Sequence, residues 1–175
     1  GEANVSPASV ADPDLEVVGV GDFNGDGKPD VLRQKPGQMP MNVVFLNGAV
    51  SPKQAYFNPE KAKATKTQSV GCPDLNGDGK PDVLFALDGQ LSVWFMDGTK
   101  RIGSANLVPS NPTTTKYRVV GTADYNGDGK TDLLFQSKKD GKLELWFMNG
   151  INRISSTVPT PAKEISTDWV VVAPR

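Results

Sequence analysis

The chain repeats itself three times, and that periodicity restricts it to folds assembled from one small unit. VVGVGDFNGDGKPDVLRQ from Val17, SVGCPDLNGDGKPDVLFA from Ser69 and VVGTADYNGDGKTDLLFQ from Val119 align without gaps. Their leading aspartates, Asp22, Asp74 and Asp124, lie 52 and 50 residues apart. A second landmark, VVFLNG, VWFMDG and LWFMNG, ends at Gly48, Gly98 and Gly150 with spacings of 50 and 52. Two landmarks holding one period define units at about 15–66, 67–116 and 117–168. Trp169-Val-Val-Val matches Tyr117-Arg-Val-Val, so 169–175 reads as the opening strand of a further unit. Ala3-Asn4-Val5 lies as far before Leu15 as Ala105-Asn106-Leu107 before Tyr117, which gives a partial unit at the N-terminal side as well.

Inside each unit, short β-rich runs are separated by glycine, proline and aspartate, the pattern of antiparallel strands joined by tight turns. First strands are expected near 15–21, 67–73 and 117–123, and second strands near 30–34, 82–87 and 132–136. Third strands fall near 41–46, 91–96 and 143–148, with weaker fourth strands such as 101–107 and 151–158. No segment keeps a helical period, although Asn58-Pro59-Glu60 could cap one short turn. The third strands alternate Leu91, Val93 and Phe95 against Trp94 and Met96, and Leu143, Leu145 and Phe147 against Trp146 and Met148. Met41, Val43 and Phe45 oppose Val44 and Leu46 in the same way. A sheet lying on water would be polar on one side, whereas a sheet between two neighbours is apolar on both. The expectation is an all-β, propeller-type array of three four-stranded antiparallel blades with partial units at both ends.

Composition narrows the chemistry. The 175 residues include no histidine and one cysteine, which excludes a Ser-His-Asp triad, a Cys-His nucleophile and an imidazole-ligated zinc. A net charge of −1 argues against nucleic acid as a partner. No apolar run approaches the ~20 residues of a membrane span.

The residues that carry chemistry sit between strands one and two: DFNGDGKPD at Asp22–Asp30, DLNGDGKPD at Asp74–Asp82 and DYNGDGKTD at Asp124–Asp132. Hard oxygen donors stand at loop positions 1, 3, 5 and 9, and the carbonyl of position 7 is available. Calcium takes about 6–8 such oxygens. Glycine at positions 4 and 6 permits positive φ, so the loop can coil round an ion. An EF-hand would place a bidentate glutamate where Arg33, Phe85 and Phe135 stand, and a helix where these strands begin. A plain acidic turn is the bland alternative. Three in-register copies, each crowding three carboxylates into one turn, argue for three Ca²⁺ ions that brace the fold rather than catalyse. Open sites of this kind suit the high calcium outside cells, which places the chain in the secreted or cell-surface compartment.

The units resemble the FG-GAP/VCBS family of integrin-like β-propellers, through the stretch φ-V-G-x-x-D-φ-N-G-D-G-K-x-D-φ-L followed by W-F-M-[DN]-G. The resemblance covers nearly the whole chain. It implies calcium ligation by Asp22, Asn24, Asp26, the Lys28 carbonyl and Asp30 in the first loop. The second set is Asp74, Asn76, Asp78, Lys80 and Asp82, and the third is Asp124, Asn126, Asp128, Lys130 and Asp132. Cys72-Pro73 departs from the pattern, which prefers small residues there. Propellers close with about 4–8 blades, and three cannot form a ring. Either a longer parent supplies the other blades, or two chains together supply six, a homo-oligomer that closes the propeller.

The function expected is a non-catalytic binding, adhesion or scaffold module whose partner is a protein or a glycan at a surface. The alternative is a carbohydrate-binding lectin, with Trp94, Trp146 and Trp169 as stacking platforms beside Asp97 and Asn149, although packing between blades explains Trp94 and Trp146 better. A glycosidase working through two carboxylates ranks last, since nine of the twenty acidic residues already belong to the loops.

Overall fold

A computed structural model describes residues 14–36, 41–47, 53–57, 68–87, 90–110 and 116–160. Twelve strands form three four-stranded antiparallel sheets, and the described residues include no helix. The first sheet runs β1 (Glu16–Gly21), β2 (Asp30–Gln34), β3 (Met41–Phe45), β4 (Lys53–Tyr56). The second runs β5 (Gln68–Gly71), β6 (Val83–Leu87), β7 (Gln90–Asp97), β8 (Lys100–Asn106). The third runs β9 (Tyr117–Ala123), β10 (Asp132–Ser137), β11 (Leu143–Asn149), β12 (Asn152–Thr157). Each sheet is a meander, so every strand pairs with its neighbour in sequence. The expected turn at Asn58, the partial units at both ends and Trp169 lie outside the described residues.

The two apolar faces read from the third strands are used in alternation. Met41, Val43 and Phe45 of the first sheet pack with Val83, Phe85, Trp94 and Met96 of the second. The opposite face of the second sheet, with Leu84, Leu91 and Val93, packs with Leu133, Phe135, Trp146 and Met148 of the third. Each sheet thus offers its Leu-Val-Phe face to the Trp-Met face of the next. β1 lies against β5 and β5 against β9. The backbone N–H of Ser69 donates to Gln34 Oε1 at 2.8 Å, tying the first two sheets near those strands. At the far edge, Val108 N–H donates to Ile151 O and Arg153 N–H to Val108 O, both at 2.8 Å, joining the second and third.

Trp94 and Trp146 belong to this packing, being 8% and 2% exposed. Each meets a phenylalanine of its own sheet, Phe85 at 4.8 Å and Phe135 at 4.7 Å between ring centroids. The guanidinium of Arg101 lies 4.8 Å over the Trp94 ring, and that of Arg153 lies 4.5 Å over Trp146. These rings are not free platforms for a sugar, because core side chains and a cation already occupy them.

A bulge recurs in every first strand. Val18, Val70 and Val120 each stand unpaired between register positions, as the skips from Val17 to Gly19, from Ser69 to Gly71 and from Val119 to Gly121 record. One extra residue reverses the alternation of faces and sharpens the local twist. The glycine after the bulge allows the neighbouring sheet to come close: a Cβ on Gly19 would sit 2.1 Å from Cys72 Sγ. Gly19→Ala is therefore expected to cost about 1–3 kcal/mol by overpacking. Chemical denaturation checks it, and adding Cys72→Ala should restore most of the loss. A neutral Gly19→Ala would contradict this contact.

Candidate metal-binding loops

The three loops between first and second strands share one conformation. Glycines at positions 4 and 6 are left-handed in all three, with φ between 74° and 80° for Gly25, Gly27, Gly77, Gly79, Gly127 and Gly129. An L side chain there is strained, so the glycines make the coil possible. The leading aspartate gathers the loop's own amides. Asp22 Oδ1 accepts from Gly25 and Asp26 N–H at 2.7 and 3.1 Å, and its Oδ2 accepts from Gly27 N–H at 2.7 Å. Asn24 Oδ1 then accepts from Asp26 N–H, and Asp26 Oδ1 from Lys28 N–H. The third loop repeats all five bonds through Asp124, Asn126 and Asp128. The second repeats four of them through Asp74, Asn76 and Asp78. β5 ends at Gly71, just before Cys72-Pro73, and the second loop keeps the left-handed glycines of the other two.

Position 9 has a separate task. Asp30, Asp82 and Asp132 are fully buried, and both carboxylate oxygens of each are engaged. One accepts from the position-2 amide, Phe23, Leu75 or Tyr125, at 3.0, 3.1 and 3.1 Å. The other accepts from Leu46, Met96 or Met148 N–H at 3.0, 2.9 and 2.9 Å. The aspartate that begins the second strand thus latches the loop's first turn to the end of the third strand.

Position 7 contributes a side chain as well as the expected carbonyl. Lys28 Nζ donates to Asn47 Oδ1, and Lys80 Nζ pairs with Asp97 Oδ1 at 2.6 Å. That hydrogen bond raises the Lys80 pKa and lowers that of Asp97. The acceptor belongs to the landmark that ends at Gly48 or Gly98, so the two repeated motifs of the first and second units meet at the loop. The glycine after it touches the preceding unit. A Cβ on Gly98 would lie 3.1 Å from Phe23 O, and one on Gly150 would lie 3.1 Å from Leu75 O.

The donor chemistry fits a hard divalent cation, since oxygen is the only side-chain ligand atom at positions 1, 3, 5 and 9. The arrangement shown is an internally hydrogen-bonded turn, and among the described residues no three acidic, cysteine or histidine side chains converge as a metal cluster. Apart from Asp22 Oδ1 and Asp124 Oδ1, which each accept two N–H bonds, the loop carboxylate oxygens keep lone-pair capacity beyond the bonds they accept. Residues 1, 3 and 5 would hold the ion from the exposed side, with the latch aspartate beneath. Desolvation works to raise the Asp22 carboxyl, and N–H bonds from Gly27, Gly25, Asp26 and Asn24 together outweigh it and hold it low. At Asp124 the Gly129 amide leads the same lowering.

Compared with known families, the FG-GAP-like repeat matches residues 74–135, from the first aspartate of the second loop to the strand after the third. The chain carries an FG-GAP-like repeat. The matched stretch holds two of the three loops and strands β6 to β9 between them. No curated protein matches the chain significantly. Among the described residues, no helix is long and apolar enough to cross a membrane.

Asp82 supplies a pH test within this repeat. Burial pushes its carboxyl up from 3.8 to about 6, with Asp74 and Asp78 adding to the rise against the N–H bonds from Met96 and Leu75. The folded chain then holds this proton more tightly than the unfolded one. The group's contribution to stability is present at the acid end of that window and is lost as pH rises through about 6. Carboxyl-detected NMR in EGTA should give Asp82 a midpoint near 6, and a midpoint at the ordinary value would contradict the burial.

Proposed function

We propose that the chain is a calcium-braced, non-catalytic binding module of a propeller-type array, working outside the cell. The observation that carries this reading is the loop itself: three copies of D-x-N-G-D-G-K-x-D in one conformation, each with left-handed glycines and a buried latch aspartate. Three carboxylates per loop repel one another, and a divalent cation would relieve that repulsion. The contacts of β1 with β5 and of β5 with β9 support an arrangement in which first strands line an axis. Val17 and Val20 are 61% and 47% exposed on the first sheet, whereas Ser69, Cys72, Val119 and Thr122 at the same repeat positions are buried. That difference supports a further sheet of this kind stacking on the first, as in a self-associated array. A protein or glycan at a surface is the partner that suits a repeat with near-zero net charge and no histidine.

Calcium at 100 times its Kd stabilises by about 2.7 kcal/mol per site, which shifts Tm by roughly 5–10 °C for a chain of this size. Melting in millimolar calcium against EGTA should show at least that difference. Asp26→Ala, Asp78→Ala and Asp128→Ala should each remove one of three calcium equivalents in calorimetric titration. An identical melt in both buffers would overturn the cation reading.

A further inference from the structure

An asparagine followed by glycine is prone to lose its side-chain amide, because glycine has no Cβ to shield the next backbone nitrogen from the side chain. The chain has five such pairs, led by Asn24, Asn47, Asn76, Asn126 and Asn149. We propose that Asn149 is a self-modification site, at which the Gly150 nitrogen displaces the amide as ammonia and a carboxylate forms beside Lys130.

Hydrogen bonding separates this pair from the three in the loops. There the attacking nitrogens are held: Gly25, Gly77 and Gly127 N–H each donate to the leading aspartate at 2.7 Å. The side chains are held too. Asn24, Asn76 and Asn126 Oδ1 accept from the amide two residues on at 2.8, 2.9 and 2.8 Å. Asn76 and Asn126 also donate to Asp78 and Asp128. Attack requires the side chain to turn its Cγ onto the next nitrogen, so these bonds must break first. Asn149 is exposed at the end of β11, and Gly150 opens the turn after it with φ 60°. Among the described residues, neither the Asn149 side chain nor the Gly150 N–H has a hydrogen-bond partner.

In the reaction, Gly150 N gives its proton to solvent and bonds to Asn149 Cγ. The bond from Cγ to Nδ2 breaks, and its electron pair leaves with the nitrogen as ammonia. Water then opens the cyclic imide, restoring a peptide bond and freeing a carboxylate. Nothing is oxidised or reduced, and water is the only co-reactant. Opening at the side-chain carbonyl gives aspartate. Opening at the main-chain carbonyl gives isoaspartate, which lengthens the backbone where a Cβ on Gly150 would already lie 3.1 Å from Leu75 O. The second unit shows what the aspartate does. Asp97 stands at the repeat position of Asn149, and its Oδ1 pairs with Lys80 Nζ at 2.6 Å. Asn47 likewise already accepts from Lys28. Lys130, at the position of Lys80, lines the same cleft as Asn149 and has no side-chain partner among the described residues. Exchanging the amide for a carboxylate supplies the anion and ties the third loop to the end of β11.

An exposed ion pair adds little to a melt, so the test reads the chemistry and the lysine instead. The chain would be aged at mildly alkaline pH, digested, and mapped by mass spectrometry for exchange of amide for carboxyl. In the folded chain Asn149 should react at least tenfold faster than Asn24, Asn76 and Asn126. In denaturant, where the loop bonds are gone, all four should react at similar rates. Loop asparagines that keep pace with Asn149 in the folded chain would overturn the proposal, as would an Asn149 that reacts only in denaturant. Asn149→Asp copies the second unit's residue and should raise the Lys130 pKa, as Asp97 raises that of Lys80, when its side chain is titrated by NMR. The modified fraction of the unaltered chain, separated by ion exchange, should show the same rise and replaces the variant if that does not fold. A Lys130 titration unmoved by the new carboxylate would contradict the pairing.

Discussion

One buried carboxylate holds each of the three loops to its sheet, and the rest of the architecture hangs from these latches. Asp30, Asp82 and Asp132 start the second strand, yet their side chains serve the loop above and the third strand beside it. A carboxylate removed from water is costly unless its oxygens are hydrogen-bonded. Two backbone amides per residue meet that requirement. Removing the carboxylate would cost both of these bonds, a loss larger than the single bond that a surface aspartate represents. The loop's position 1, 3 and 5 oxygens are presented above this latch, which fixes where an ion would sit.

The latch also explains how the units communicate. It sets the end of the third strand, from which the hairpin carrying Gly98 or Gly150 turns back against a carbonyl of the preceding loop. Beneath these contacts the sheets stack through large apolar side chains, with Leu84 facing the third sheet and Phe85 facing the first. The second sheet is buried on both faces, and substitutions there are felt by two neighbours at once. Arg101 and Arg153, on the fourth strands, lay their guanidinium groups over Trp94 and Trp146.

Much of the fold was legible because the repeat multiplies weak signals. β2 runs over Asp30–Gln34 as expected, and the opposed faces of Leu91 and Trp94 follow from simple alternation. The bulges at Val18, Val70 and Val120 were not legible, because a bulge is a failure of alternation and a Val-Val-Gly run is compatible with either register. In the loops, glycine placement predicted the coil. The sequence did not distinguish position 9 from positions 1, 3 and 5, since all four are oxygen-bearing residues, whereas burial separates them at once. The seven-residue spacing from Trp94 to Arg101 and from Trp146 to Arg153 was available as a signal of the stacked pairs. Sugar stacking on Trp94 and Trp146 fails for the reason packing favoured, that both rings lie between sheets.

The account depends most on ions held above the latch aspartates. A crystal grown in millimolar calcium, with anomalous scattering recorded at long wavelength, addresses this directly. The expected map has one peak within each of the loops Asp22–Asp30, Asp74–Asp82 and Asp124–Asp132, with the latch carboxylates still bonded to Leu46, Met96 and Met148. Three loops without anomalous signal, their aspartates bonded to backbone amides alone, would contradict it.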